Sequence, residues 1–134
     1  LTNWLVKLGA GWFEIREGKE VDISWIRSEC FLSPDGKYDF TKQAGQQWFM
    51  KAARERGMNN FLFFTNSAPY FMTRSASTVS ADQDCINLQN DTFDDFARFL
   101  GKSALLFSEH GFHVYFISPN NEAALPLKLP STAW

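Results

Sequence analysis

A carboxylate and two amides follow one apolar run of the sequence and could do chemistry. Residues 112–117 are mostly apolar and predict a strand, and residues 118–122 read SPNNE. A carboxylate at the carboxyl end of a strand can donate and accept a proton, so Glu122 is a candidate general acid/base and Asn121 a candidate substrate ligand. A solvated glutamate in a polar turn explains the same spacing.

Two long connections predict where such a site would lie. Residues 9–38 and 67–91 each leave the carboxyl end of a predicted strand and lead towards a helix. Binding loops gather on that side of α/β folds, so a site is predicted there. Tyr70 and Phe71 follow Pro69 in the second connection, where contact with a ligand and packing within the loop are equally consistent with their positions.

Hydrophobic spacing predicts the elements that would position these residues. Residues 4–8, 61–64 and 112–117 predict strands, and the unbroken run FLFF at 61–64 predicts burial on both faces. Residues 39–57 and 92–111 predict helices, each ending at a glycine that can adopt the left-handed conformation. Strand and helix alternate, which predicts parallel strands joined by right-handed crossovers in an α/β fold.

Helical spacing also predicts caps and core residues. Asp39 or Thr41 is expected to cap the first helix, and Thr92 with Asp95 has the spacing of a capping box. Four aromatic residues are predicted to pack in the core, namely Trp48, Phe49, Phe96 and Phe107.

Composition excludes several classes of function. The 134 residues carry a formal net charge of −2, which leaves no electrostatic footprint for nucleic acid. No apolar run reaches the roughly 18 residues of a membrane span. His110 and His113 lie on either side of Gly111 with no convergent carboxylate, so no metal site is predicted. Cys30 and Cys85 could form one disulfide or remain free thiols.

Seven stretches in one uninterrupted order carry a larger pattern. They are residues 33–39 (SPDGKYD), 43–49 (QAGQQWF), 64–69 (FTNSAP), 71–73 (FMT), 87–88 (NL), 94–97 (DDFA) and 118–122 (SPNNE). From about Trp25 to Glu122 the chain resembles the N-terminal half of a glycoside hydrolase family 30 enzyme, in particular the endo-β-1,6-galactanase-like branch.

The resemblance implies a fold class and a domain. The expected architecture is a partial (β/α)8 TIM barrel, roughly strands 1 to 4 with their helices. It would form a single domain over residues 1–134 with a family-like core at about 25–122. A dinucleotide-binding α/β domain is disfavoured, because residues 9–11 (GAG) are followed by Trp12 and Phe13 and not by a third glycine and a helix start.

The resemblance also implies roles for individual residues. Glu122, at the end of the fourth barrel strand, would be the general acid/base of a retaining hydrolysis, and Asn121 would hydrogen-bond the sugar 2-hydroxyl. Asn66 would line the sugar subsite. Phe71 stands where a stacking Trp is common, beside Tyr70. The family mechanism needs no metal and no organic cofactor.

The sequence departs from the family pattern towards its ends. Residues 4–7 read WLVK where the family tends to have Trp-Arg-Tyr-Asn, so Lys7 replaces an Asn. Retaining hydrolysis uses a second carboxylate about 5–5.5 Å from the first. The family supplies that nucleophile from the seventh strand, which these 134 residues do not reach. We therefore expect a fragment of a larger enzyme that needs further strands to act.

Partners and location follow from the same resemblance. The expected partner is an oligo- or polysaccharide such as β-1,6-galactan, with no nucleic acid and no membrane span, and the expected location is extracellular or periplasmic. The alternative is a non-catalytic half-barrel that binds carbohydrate or associates with itself, because open edge strands can pair with another chain. Its protein partner would be a second copy or the missing C-terminal half of the barrel.

Overall fold

The computed structural model of the chain describes residues 3–9, 15–16, 19–20, 29–78 and 87–120. These residues form five strands, two α-helices and one 3₁₀ helix. In chain order the elements are β1 (Asn3–Lys7), β2 (Ile15–Arg16), β3 (Lys19–Glu20), α1 (Ala44–Glu55), β4 (Asn60–Phe64), the 3₁₀ helix (Tyr70–Met72), α2 (Phe93–Glu109) and β5 (Val114–Ser118).

Three strands form one parallel sheet in the order β1-β4-β5. Val6 pairs with Phe63 across β1 and β4, and Phe64 pairs with Ser118 across β4 and β5. One helix connects each successive pair of these strands, which confirms the predicted alternation of parallel strands and helices. The architecture is compatible with a partial barrel, and the described residues hold three of its roughly four predicted strands. β2 and β3 form a separate antiparallel pair.

The parallel sheet is buried on one face and open on the other. Val6, Phe61 and Phe63 are buried together with residues of both helices. The alternate positions differ, since the side chain of Leu5 is 63% exposed and that of Phe116 is 55% exposed. The prediction that residues 61–64 are buried on both faces is confirmed for one face only, because Phe61 and Phe63 are buried whereas Leu62 and Phe64 are half-buried. Successive side chains of a strand point to opposite faces, and the described helices cover only one of them.

Helix α1 turns a different face to the sheet from the one predicted. Its buried residues are Gln47, Met50 and Ala53, which recur every three positions. Trp48 is 63% exposed and Phe49 is 55% exposed, so the prediction that they pack in the core is wrong. Each lies about 100° around the helix from a buried neighbour, and the two rings contact each other edge to face at 5.0 Å between centroids.

Helix α2 supplies three of the seven buried phenylalanines of the described residues. Phe96 and Phe107 are buried, as predicted, together with Phe99 and Ser103. Phe107 lies at the centre of a ring cluster, with its centroid 4.7 Å from that of Phe63 and 5.3 Å from that of Phe31. This cluster holds α2 against the middle strand of the sheet.

The helix ends differ from the predicted caps. The residue before α1 is Gln43 in a left-handed conformation, and Asp39 instead accepts hydrogen bonds from the amide and the hydroxyl of Thr41. Thr92 precedes α2, but its hydroxyl donates to the Met72 and Gln89 carbonyl oxygens rather than capping the helix. The predicted capping box is therefore not formed. Two glycines end the helices with positive φ, as predicted, at Gly57 and Gly111.

Candidate active site

The ends of the three parallel strands lie side by side. Lys7 is in register with Phe64, and Phe64 with Ser118. The pairing continues one residue further, because the Leu8 amide donates to the Phe64 carbonyl oxygen at 2.7 Å and the Thr65 amide to the Ser118 carbonyl oxygen at 3.3 Å. The residues that follow β1, β4 and β5 therefore emerge at one edge, where parallel α/β folds gather binding residues.

Thr65 fastens the end of β5 to the end of β4. It is fully buried, and its hydroxyl donates to the Pro119 carbonyl oxygen at 2.5 Å. The Ser118 hydroxyl donates to the Asn120 carbonyl oxygen at 2.8 Å, so residues 118–120 are tied on both sides. Sequence reasoning missed Thr65, because a threonine after an apolar strand carries no signal of a partner 54 positions away.

Asn66 follows Thr65 and carries a buried, unpartnered acceptor. Its side-chain oxygen Oδ1 is shielded from solvent and has no hydrogen-bond partner among the described residues. A buried acceptor without a partner costs about 1–3 kcal/mol, and such groups are often completed by a ligand or a water. An acceptor at a strand end is suited to a hydroxyl donor.

A glutamine of α1 clamps the end of β1. The Gln46 side chain accepts from the Lys7 amide and donates to the Lys7 carbonyl oxygen, both at 3.0 Å. Gln43 extends this network, since its side-chain nitrogen donates to the Glu29 carbonyl oxygen at 2.7 Å and its amide donates to the Glu29 carboxylate at 2.8 Å. The polar start of α1 thereby pairs with the backbone of β1 on the side where the described sheet has no further strand. Sequence reasoning missed this clamp, although the run QAGQQ gave a signal in its excess of amides.

Gly9 permits the close approach of these segments. A Cβ atom at this position would lie 1.8 Å from the Glu29 carbonyl oxygen and 2.6 Å from Nε2 of Gln43. Neither contact is sterically allowed, so only glycine fits here. Gly9 thus has a packing role at the strand end.

Lys7 is the last residue of β1 and places a cation at the strand ends. Its partial burial removes water from the ammonium group and lowers the pKa of Lys7 from its usual value. Among the described residues no carboxylate forms an ion pair with it. Lys7 follows Leu5 on the open face of the sheet, so a partly desolvated amine lies on that face.

Tyr70 and Phe71 form the first two residues of the 3₁₀ helix. Both are half-buried, and their rings contact edge to face at 5.4 Å between centroids. Phe71 also lines a cavity of about 340 Å³ between residues 32–38 and the first half of α2. The structure therefore brings Phe71 to a cavity formed by the two long connections.

Three residues singled out in the sequence lie outside the described residues. They are Asn121, Glu122 and Cys85. Cys30 is a free, half-buried thiol, and burial raises the pKa of Cys30 to about 12. It is therefore protonated and weakly nucleophilic at neutral pH.

The described part of the chain shows neither a metal cluster nor a spanning helix. No group of three or more His, Cys, Asp or Glu side chains converges there to hold an ion. Of the helices in the same residues, none is long and apolar enough to cross a bilayer.

Comparison with known proteins identifies the family. The family model described as O-Glycosyl hydrolase family 30 matches residues 1–127. The chain belongs to this family. Its resemblance to the galactanase-like branch is confirmed as well, because an exo-beta-1,6-galactobiohydrolase of Bifidobacterium longum subsp. longum is 32% identical over 113 residues. That match covers 78% of this chain and 7% of the relative.

A solved structure is more similar still to this family 30 chain. The crystal structure of a conserved exported protein from Bacteroides fragilis shares 80% sequence identity with it and superposes with a TM-score of 0.86. The match covers 95% of this chain and 26% of that protein. The chain thus spans a small share of both relatives.

Proposed function

We propose that this chain contributes the acid/base side of a retaining glycoside hydrolase that cleaves a β-linked polysaccharide such as β-1,6-galactan. The observation that carries the proposal is the edge where β1, β4 and β5 end together in a family 30 chain. Thr65 holds residues 118–120 at this edge. Residue 120 lies two positions before Glu122 in the sequence.

The proposed roles follow from what each group can do at that edge. Glu122 protonates the departing glycosidic oxygen and then deprotonates the water that hydrolyses the glycosyl-enzyme. Asn121 hydrogen-bonds the sugar 2-hydroxyl, and the buried Oδ1 of Asn66 accepts from a second sugar hydroxyl. Tyr70 and Phe71 supply ring surface for stacking. The nucleophilic carboxylate comes from a later barrel strand.

The proposed fold is one partial (β/α)8 domain over residues 1–134. If the Asn-Glu pair ends the fourth barrel strand, then β5 is that strand, and the adjacent β4 and β1 are the third and second. The open sheet face that carries Leu5 and Phe116 would then be the barrel interior, where further strands supply the missing contacts.

Two relatives support the substrate and the location that we propose. The Bifidobacterium relative is named an exo-beta-1,6-galactobiohydrolase, which favours a β-1,6-linked galactan. The Bacteroides fragilis protein is described as exported, which favours an extracellular or periplasmic location for this chain.

The test is hydrolysis of β-1,6-galactan by the full-length protein that contains this chain. We expect Glu122→Gln to lower reducing-sugar release by about 10²–10⁴-fold, because proton transfer to the leaving oxygen is lost. An aryl glycoside with a good leaving group needs less protonation, so its cleavage should fall far less. Glu109→Gln at the end of α2 is the matched control. Full activity of Glu122→Gln would contradict the proposal.

The second candidate is a non-catalytic half-barrel that self-associates. The observation that favours it is the open apolar sheet face, with Leu5 and Phe116 more than half exposed. Two copies could cover these faces, and oligosaccharide binding would then occur without turnover. Wild-type turnover that Glu122→Gln abolishes would rule this candidate out.

A further inference from the structure

A cavity of about 340 Å³ lies between residues 32–38 and the first half of α2. Its buried lining residues are apolar, namely Leu32, Met72 and Phe99. Tyr38 and Phe71 add half-buried rings. A cavity of this size is at the lower end of those that take small ligands, and it suits one or two hexose units.

The exposed rim of the cavity carries charges of both signs. Arg98 is hydrogen-bonded to the Asp95 carboxylate one helical turn away, and Lys102 places Nζ 5.6 Å from the centre of the Tyr38 ring. Burial raises the pKa of Tyr38 to about 12, so the phenol is neutral at physiological pH. The rim therefore offers hydrogen-bond donors and acceptors without a strong net electrostatic field.

The walls of the cavity are preformed. Residues 33–37 make a tight turn in which the Ser33 amide donates to the Lys37 carbonyl oxygen and the Gly36 amide to the Ser33 carbonyl oxygen, both at 2.9 Å. The Thr92 hydroxyl holds the opposite wall by donating to the Met72 carbonyl oxygen at 3.1 Å. Little ordering is then needed on binding, which favours affinity.

We propose that this cavity is a binding subsite for a neutral saccharide, namely one or two hexose units of the polymeric substrate. The apolar lining and the aromatic rings fit the C–H face of a sugar, and Asp95, Arg98 and Lys102 fit its hydroxyls. The cavity is built by residues of the connections that follow β1 and β4 and by the first half of α2. The identity of the polymer rests on the proposed function.

The test is calorimetric binding of a β-1,6-galacto-oligosaccharide to the full-length protein in the Glu122→Gln background. We expect the double variant Arg98→Ala/Lys102→Ala to weaken binding by about 5- to 20-fold, because hydrogen bonds to the sugar are lost. The matched control Lys51→Ala/Arg56→Ala removes one Lys and one Arg from α1 and its end, and should stay within about twofold. A second variant, Phe71→Ala, should weaken binding and Phe71→Trp should restore or strengthen it.

The outcomes separate this proposal from the proposed function. An unchanged dissociation constant in Arg98→Ala/Lys102→Ala, with galactan hydrolysis intact in the parent, overturns the subsite alone. Tighter binding of an acidic oligosaccharide than of the neutral one overturns the assignment to a neutral sugar. Oligosaccharide binding that depends on Arg98 and Lys102 in a protein that never hydrolyses galactan keeps the subsite and overturns the proposed function.

Discussion

Thr65 carries one hydroxyl, and that hydroxyl joins the ends of two strands. It is buried and donates to the Pro119 carbonyl oxygen, beside the unpartnered Oδ1 of Asn66. At the residue scale, the candidate site thus depends on a side chain that touches no substrate in the proposed mechanism. Thr65 is a positioning residue, because it fixes the segment that leads to Glu122.

We predict that Thr65→Val lowers both stability and activity. The substitution keeps the shape of the side chain but leaves the Pro119 carbonyl oxygen without its donor, which costs about 1–3 kcal/mol in the free energy of unfolding. Galactan hydrolysis by the full-length protein should fall about tenfold through a lower kcat, because the acid/base segment is misplaced. Denaturant unfolding and steady-state kinetics measure the two effects. Thr65→Ser keeps the donor and should restore most activity, and an equal loss in Thr65→Ser would argue against the hydrogen bond.

Cys30 and Tyr38 predict a loss of stability at alkaline pH. Burial raises the pKa of Cys30 to about 12 from 9.0, and that of Tyr38 to about 12 from 10.0. Between the two values of each group the folded state holds a proton that the unfolded state releases, so stability falls as pH rises from about 9 to 12. Thermal unfolding from pH 7 to 11 measures this. The decrease of the unfolding temperature with pH should be shallower in Cys30→Ala and in Tyr38→Phe. An unchanged decrease in both variants would show that these two groups do not cause the loss of stability.

At the element scale, polar contacts join the start of α1 to the end of β1. Gln46 clamps both backbone groups of Lys7, and Gly9 lets the following segment pass against Glu29. The face that α1 buries therefore starts from Gln47, and Trp48 and Phe49 turn outward. The Gln46 and Gln47 hydrogen bonds at the helix start are consistent with this rotation of the helix.

Two glycines should respond to alanine in opposite directions. Gly9→Ala places a Cβ 1.8 Å from the Glu29 carbonyl oxygen, so we expect a loss of about 1–3 kcal/mol or more in the free energy of unfolding. Gly101→Ala lies within α2 with open space around the new Cβ, so we expect a gain of about 0.5–1 kcal/mol from helix propensity. Urea unfolding of the two variants compares them directly. A neutral Gly9→Ala would show that the two segments are not closely packed.

At the scale of the whole molecule, the helices cover one face of the described parallel sheet and leave the other face open. The helices bury Val6, Phe61 and Phe63, whereas Leu5 and Phe116 are open to solvent. In a closed barrel the open face would be filled by side chains from the other strands. Family 30 membership and the small share of each relative that the chain spans are consistent with that interpretation.

The open face predicts self-association of the 134-residue chain studied by itself. We expect its mass by light scattering to rise with concentration, because exposed apolar sheet faces associate. Phe116→Lys should shift the chain towards the monomer. Leu105→Lys, at a 58% exposed position on α2, is the matched control and should leave association unchanged. Equal effects of the two substitutions would show that the sheet face is not the interface.

Much of the element order could be predicted from the sequence. The strand at Asn60–Phe64 and the helix at Phe93–Glu109 follow from local hydrophobic spacing and from the glycines that end the helices. Both signals depend only on residues that are close together in the sequence. The caps could not be predicted. Asp39 bonds to Thr41 and Thr92 to Met72, because each side chain had a nearer or better-placed partner than the helix amide.

The sequence by itself determined the parallel α/β order, the family and the candidate residues Asn66, Asn121 and Glu122. The α/β order depends on local periodicity, and the family and the candidate residues depend on residue types in a fixed order. Both patterns are present in the linear sequence. Only the tertiary structure decided which face each element buries, that Thr65 ties β4 to residue 119, and that Phe71 meets α2 at a cavity. Those contacts join residues far apart in the chain, and their geometry exists only once the helices have packed on the sheet.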